Sequence, residues 1–217
     1  MDTTAGILAV WTNCEVAHDE EFNVWYSSQH LAERFAVPGF LSARRYVSIN
    51  ARQRHLAFYE TESAAVLSAA PYLERLHNPT DWSRRTMAWF RDTNRSVFHQ
   101  VIDSGAGIGS IVQSYDLAPD AGAEIDYTDL LRPLARAVMQ SPAMVRLRLW
   151  RGDTETSSLA SVERSLRPAP DVSSAWTLLL EAESEGALDT AQRIVADRAI
   201  AGLAAPQRYR LLRALSR

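Results

Sequence analysis

One cysteine, Cys14, in 217 residues excludes an intrachain disulfide and any zinc site built from several thiolates. No apolar run approaches the roughly 20 residues that span a bilayer. The N-terminus lacks the basic stretch, longer apolar stretch and cleavage site of a secretory signal, so a cytoplasmic chain is expected. Neither sign of charge dominates. Lys and Arg number 23 against 26 Asp and Glu, and the formal charge of −3 gives no electrostatic case for nucleic acid or membrane as a partner. A phosphate-cradling loop is missing too: Gly105-Ala106-Gly107-Ile108-Gly109 precedes a strand, whereas the dinucleotide fingerprint follows one and opens a helix. There is no Gly-x-Ser-x-Gly elbow, and Cys14 has no evident paired base, so nucleotide-dependent and acyl-transfer enzymes drop out. His18, His55, His77 and His99 are scattered, and His30 with Glu33 lacks a third ligand at a recognisable spacing. No metal and no cofactor is expected on these grounds.

What remains is an ordinary globular composition, 47% hydrophobic and 23% charged, long enough for two units of about 100 residues. The chain repeats itself. Ile7 and Trp11 match Ile111 and Tyr115 at a spacing of 104, and Pro38 and Pro142 open two further β-prone runs at the same spacing. Each half reads β-α-β-β-α-β. The first has strands over 7–14, 40–49, 55–61 and 96–102, and helices over 19–36, 63–76 and about 80–90, the last capped by Thr80. The second has strands over 108–115, 143–150, 175–181 and 207–214, and helices over 127–140 and 187–199. The units divide as 1–104 and 105–217. The connection over 151–171, with Pro168 and Pro170, is expected to be mobile. A four-stranded sheet with helices on one face leaves the other uncovered, and association of the two sheets is expected to bury it within one chain.

The densest cluster is 21–46. At about 100° per residue, Phe22, Trp25, Tyr26 and Gln29 share a helix face with His30 at its edge, while Val24, Leu31 and Phe35 lie opposite. Two apolar faces imply contacts on both sides. The run Phe22-x-x-Trp25-Tyr26-x-x-x-His30-Leu31, followed by Val37-Pro38-Gly39-Phe40 and Ala43-Arg44-Arg45-Tyr46, resembles the EthD-like branch of the dimeric α/β-barrel superfamily. The resemblance implies an α+β chain of two tandem ferredoxin-like units, their antiparallel sheets forming an intramolecular dimeric α/β-barrel. It also implies a pocket between sheet and helices. Superfamily members include cofactor-free monooxygenases, lactone isomerases, aromatic cyclases and haem-binding proteins, so the resemblance bears on fold more than on reaction. The second half has no counterpart of the Trp-Tyr-x-x-x-His run and reads as structural.

Each candidate residue has two readings. His30 suits a general acid or base, or an anchor bonded to the sheet or to Tyr26. Trp11, Trp25 and Trp89 shape a cavity, or fill a core. Tyr26 and Tyr46 orient polar atoms of a ligand. Arg34, Arg44 and Arg45 suit an anionic group, or a surface or domain interface. Three functions follow. The first is a small-molecule pocket protein, as a cofactor-independent oxygenase, isomerase or cyclase acting on a hydrophobic aromatic or lactone-like compound, with His30 and Tyr26 catalytic and Trp11, Trp25, Tyr46, Trp89 and Arg45 binding. The second is a non-catalytic binding or assembly module. The third is a haem-binding protein with an axial histidine. The partners considered are a small hydrophobic molecule and a second copy of the fused chain.

Overall fold

The structure is a computed structural model that describes residues 4–119 and 125–217. The strands are β1 (Gly6–Cys14), β2 (Phe40–Ser48), β3 (His55–Thr61), β4 (Phe90–Gly105), β5 (Ile111–Leu117), β6 (Met144–Gly152), β7 (Trp176–Ala182) and β8 (Gln207–Ser216). The first half supplies the order β4-β1-β3-β2 and the second the order β8-β5-β7-β6, with every pairing antiparallel. The architecture is thus α+β, with two tandem ferredoxin-like units. They join at their edges: β2 pairs with β8 and β4 with β6, closing one eight-stranded barrel. The uncovered sheet faces converge on a shared lumen, and closure leaves no open edge among the described strands.

The strands are apolar on both faces because both are covered. Alternation in β1 sends Ile7, Ala9 and Trp11 into the lumen, with Tyr46, Phe58, Phe98, Val112, Trp150, Leu179 and Tyr209. Leu8, Val10 and Cys14 face outward, where they meet helices α1 (Asp19–Trp25) and α2 (Leu31–Phe35) and, beyond these, α3 (Ala70–His77) and α4 (Asp81–Met87). In the second half α5 (Tyr127–Val138) and α8 (Glu185–Ala196) cover the outer face over Leu131, Leu134, Leu178 and Leu188. Thr80 caps α4 as expected, its Oγ1 accepting from the Ser83 amide at 3.1 Å.

Pairing registers define how the halves correspond. Ser42 pairs with Glu60 and Arg146 with Glu181, so β2 and β6 correspond at 104 residues and β3 and β7 at 121. The turn before each strand confirms the first spacing: Gly39 has φ 86° and Ala143 φ 63°. In β1 and β5 the spacing is different. Gly6 pairs with Thr61 and Ile111 with Ala182, a correspondence of 105. Ile7 therefore matches Val112, both in the lumen, and the sequence alignment of Ile7 with Ile111 and Trp11 with Tyr115 is out by one residue. A one-residue slip turns every side chain to the opposite face. It was invisible in the sequence because both faces are apolar.

The connection over 151–171 is packed rather than free. It forms α6 (Thr154–Ser158) and α7 (Val162–Ser165), capped by Asp153 and Ser161. Ser157 Oγ accepts from the Val97 amide at 2.8 Å, which docks α6 on β4. Leu166 packs onto the helical layer of the first half, so the second copy helps to cover the first.

Candidate functional site

The helix read as continuous over 19–36 changes pitch at its centre. Between α1 and α2, Tyr26–His30 forms a π turn, in which the Leu31 amide donates to the Tyr26 carbonyl. A π turn inserts one residue into the helical period and occurs frequently at functional sites. The insertion rotates everything after it by about one residue, roughly 100°. Phe22 and Trp25 before the turn, Tyr26 and His30 at its two ends, and Leu31 and Arg34 after it then share one buried face. Two apolar faces were expected; the structure has a single face with a phase shift, and Val24 is exposed.

This face, with the outward side of β2, β3 and β4, encloses the site. The His30 ring lies 4.4 Å from that of Trp25 and 5.0 Å, edge-on, from that of Tyr26. Trp25 Nε1 donates to Ser83 Oγ at 3.2 Å, and Tyr59 Oη donates to Tyr26 Oη at 3.4 Å. His30 Nδ1 is buried without a hydrogen-bond partner. Burial, and then the guanidiniums of Arg34, Arg167 and Arg45, hold its pKa well below the ordinary histidine value, so the imidazole is neutral at pH 7. Burial raises Tyr26 and Tyr59, keeping both phenols protonated.

Four arginines reach this region. Arg34 pairs with Glu163 of α7, and Arg167 pairs with Asp171. Arg95 Nη2 donates to Tyr72 Oη at 3.0 Å. Arg45 Nη1 donates to the Asn23 carbonyl at 3.1 Å and Ser27 Oγ at 2.7 Å, and its Nη2 donates to Asn23 Oδ1. The Arg45 guanidinium lies 5.0 Å from the centre of the Tyr26 ring. Nearby, Asp19 accepts from Arg54 at 3.0 Å and lies 2.9 Å from His55 Nε2, tying the start of α1 to β3.

The seven predicted residues divide among three places. Tyr26, Trp25, His30 and Arg45 come together between helices and sheet. Trp11 and Tyr46 point into the lumen, across the sheet from the others, and cannot line the same pocket. Trp89 sits at the rim, half-buried, stacked on His18 at 4.2 Å. Tyr59, Tyr72, Arg95 and the Arg167–Asp171 pair were not singled out from the sequence, and Arg34 only as one of three arginines suited to an anionic group. Arg95 and Tyr59 fall on the outward face by alternation with Val97 and Ala57, which is a legible signal; the contribution of 163–171 from the other half is not.

Arg44 belongs to the lumen. It is Arg148's counterpart at a spacing of 104, and the two share Glu60 and Glu181, themselves counterparts. Arg44 Nη1 donates to both Glu181 oxygens at 3.1 Å and Nη2 to Glu60 at 3.0 Å. Arg148 Nη1 donates to Glu60, and its Nε lies 3.2 Å from Glu181. The result is a near-symmetric quartet of two cations and two anions, a balanced structural network. Neither Arg44 nor Arg45 is a surface residue; Arg44 bonds to Glu181 of the second half and so lies where the two halves meet, as the interface reading expected.

Two surface clefts are lined by other residues. One of about 320 Å³ is lined by Val37, Pro38, Pro71 and Glu74, and another of about 270 Å³ by Cys14, Val16, Asp19 and Arg54. Among the described residues no helix is long and apolar enough to cross a membrane.

No protein-family model matches this chain, and no curated protein does. Solved structures match in fold. An anthrone oxidase-like protein superposes with a TM-score of 0.63 at 12% identity, over 99% of this chain and 94% of its own. A conjectured monooxygenase from Fusobacterium nucleatum subsp. nucleatum gives 0.61 at 9%, over 100% and 96%. A haem-binding protein from Thermus thermophilus gives 0.53 at 9%, over 97% and 92%. At these identities the likeness is one of fold: the chain has the dimeric α/β-barrel fold, both halves carried by one polypeptide.

Proposed function

We propose that this protein binds a small hydrophobic aromatic or lactone-like molecule between the first half's helices and its sheet, and acts on it without a cofactor by proton transfer at His30. The observation that carries this reading is the unpartnered His30 Nδ1, buried in an aromatic shell beside the paired Tyr26 and Tyr59 hydroxyls. In the tautomer protonated at Nε2 the neutral imidazole has a free lone pair on Nδ1 that accepts a proton, and a buried nitrogen without a partner is costly to maintain for structure alone. Oxygenase, isomerase and cyclase chemistry of this kind share a first step in which a C–H or O–H proton leaves the substrate. Tyr26 would orient the oxygen next to that position, and Trp25 and Phe22 would hold the ring. The fold's likeness to an anthrone oxidase-like protein agrees with an aromatic substrate. The EthD-like assignment rests on the residues of 22–46 and is part of the same proposal.

The non-catalytic reading draws on the closeness of the packing: Phe22, Trp25 and Tyr26 are each at most 2% exposed. Haem fits the site poorly. The His30 ring touches the Trp25 and Tyr26 rings, the residue is only 7% exposed, and the guanidiniums of Arg34 and Arg167 bear on it, a tightly packed and cationic setting for a macrocycle with an axial imidazole. The test is His30→Gln, which keeps a polar side chain. Loss of turnover of hydroxylated polycyclic aromatics, with melting temperature and ring binding retained, is expected. Unchanged turnover, or loss of stability with binding intact, would reassign His30 to structure.

A further inference from the structure

Charge in the buried site does not balance. Arg34, Arg45, Arg95 and Arg167 stand against Glu163 and Asp171. Arg34 and Arg167 each have a carboxylate, although Arg34 Nη1 and Arg167 Nε remain buried and unpartnered. Arg45 differs. Its residue is 1% exposed, its hydrogen bonds go to neutral oxygens of Asn23 and Ser27, and its Nε is also buried without a partner. The carboxylate of Asp19 bears on it from a distance and is itself held by His55 and Arg54. Burying a cation without an anion is expensive, and a desolvated anion beside it gains correspondingly. Arg44, the adjacent residue on the other face of the same strand, has both Glu60 and Glu181. The contrast within β2 marks Arg45 as a buried guanidinium with no carboxylate hydrogen-bonded to it.

We infer that the molecule bound here carries a carboxylate or an equally acidic group on its aromatic ring, and that Arg45, with the spare donors of Arg34 and Arg167, receives it. This rests on the pocket reading and names its ligand class. Geometry sets the orientation: the Arg45 guanidinium is 5.0 Å from the Tyr26 ring and 5.8 Å from the Phe22 ring, so a ring lodged among these aromatics would present its acidic substituent toward β2. The same anion would offset the positive field at His30 and ready that nitrogen to take a proton, which links recognition to the proposed chemistry.

The test compares 2-naphthoate with 2-naphthamide, which share ring and shape and differ in charge, by calorimetric titration at pH 7. The wild-type chain is expected to bind naphthoate at least about tenfold more tightly, as a charge-assisted contact in a buried site implies. That preference is expected to vanish in Arg45→Met and to survive in Arg45→Lys. Equal or tighter binding of naphthamide by the wild-type chain would overturn the anion inference while leaving the pocket. If neither compound binds, the pocket reading falls with it. The wild-type comparison stands alone should Arg45→Met fail to fold.

Discussion

Replacing Glu181 with Gln removes one charge from the lumen quartet and changes almost no volume. Glu181 is fully buried, accepts from Arg44 at 3.1 Å on both oxygens, lies 3.2 Å from Arg148 Nε, and accepts from the Gly109 amide at 3.2 Å. Its loss leaves Arg44 and Arg148 sharing Glu60 alone. Breaking a buried pair by removing one partner costs about 3–5 kcal/mol. In a chain of this size each kcal/mol moves the melting temperature by about 2–4 °C, so a drop of roughly 6–20 °C is expected. Urea unfolding followed by tryptophan fluorescence should show a lower midpoint at unchanged slope. The double variant Arg148→Met/Glu181→Gln retains one balanced pair, Arg44 with Glu60, and should be less destabilised than Glu181→Gln. A Glu181→Gln cost below about 1 kcal/mol, the range of surface pairs, would refute the quartet as a buried network. So would a double variant weaker than the single.

Ala143 holds a left-handed φ of 63° that favours glycine, so Ala143→Gly should raise stability by about 0.5–1 kcal/mol in chemical unfolding. The reverse change at its counterpart, Gly39→Ala, should destabilise, because a Cβ there would meet Val66 Cγ2 at 2.8 Å. Acidification should lower the melting temperature in stages. Burial depresses His55 to about 4, so its share of stability is full above pH 6.5 and is lost as pH falls toward 4. Burial alone would raise Glu60, but Arg148 and Arg44 outweigh it and hold Glu60 below its usual value, so its share disappears further down, below about 4.5. A melting temperature flat from pH 7 to 4 would contradict the His55 stage, and one flat from about pH 4.5 to about 2.5 the Glu60 stage. The Cys14 thiol, pushed up to about 11 by burial and by Asp19, should react with a disulfide reagent at pH 8 far more slowly in the folded chain than in urea.

Element order was legible because each strand and helix carries its own period and its own breakers: Pro38-Gly39 before β2, Thr80 before α4, Pro142 before β6. The grouping of residues in the candidate site was legible in part. Tyr26, Trp25 and His30 stand within about a turn and a half of helix, and any helical reading brings them close. The π turn was not, since it changes phase without a distinctive residue, and the pattern mimicked a second apolar face. Trp11 and Tyr46 were misplaced for a related reason. In a closed barrel both faces of a strand are apolar, so alternation separates the faces without saying which one meets the helices. Arg44 and Arg45 show the same limit: adjacent and identical in type, they end on opposite sides of the sheet, one in a balanced quartet and one beside neutral oxygens. Contacts from the other half, such as Glu163 with Arg34, span 129 residues and leave no local trace.

The most direct measurement is a crystal structure of the chain soaked with 2-naphthoate. The account predicts density for the ring beside Trp25, Tyr26 and His30 on the helical side of β2, its carboxylate within hydrogen-bond distance of Arg45. Density in the barrel lumen beside Trp11 and Tyr46, or an unoccupied and unchanged aromatic shell at saturating ligand, would contradict it.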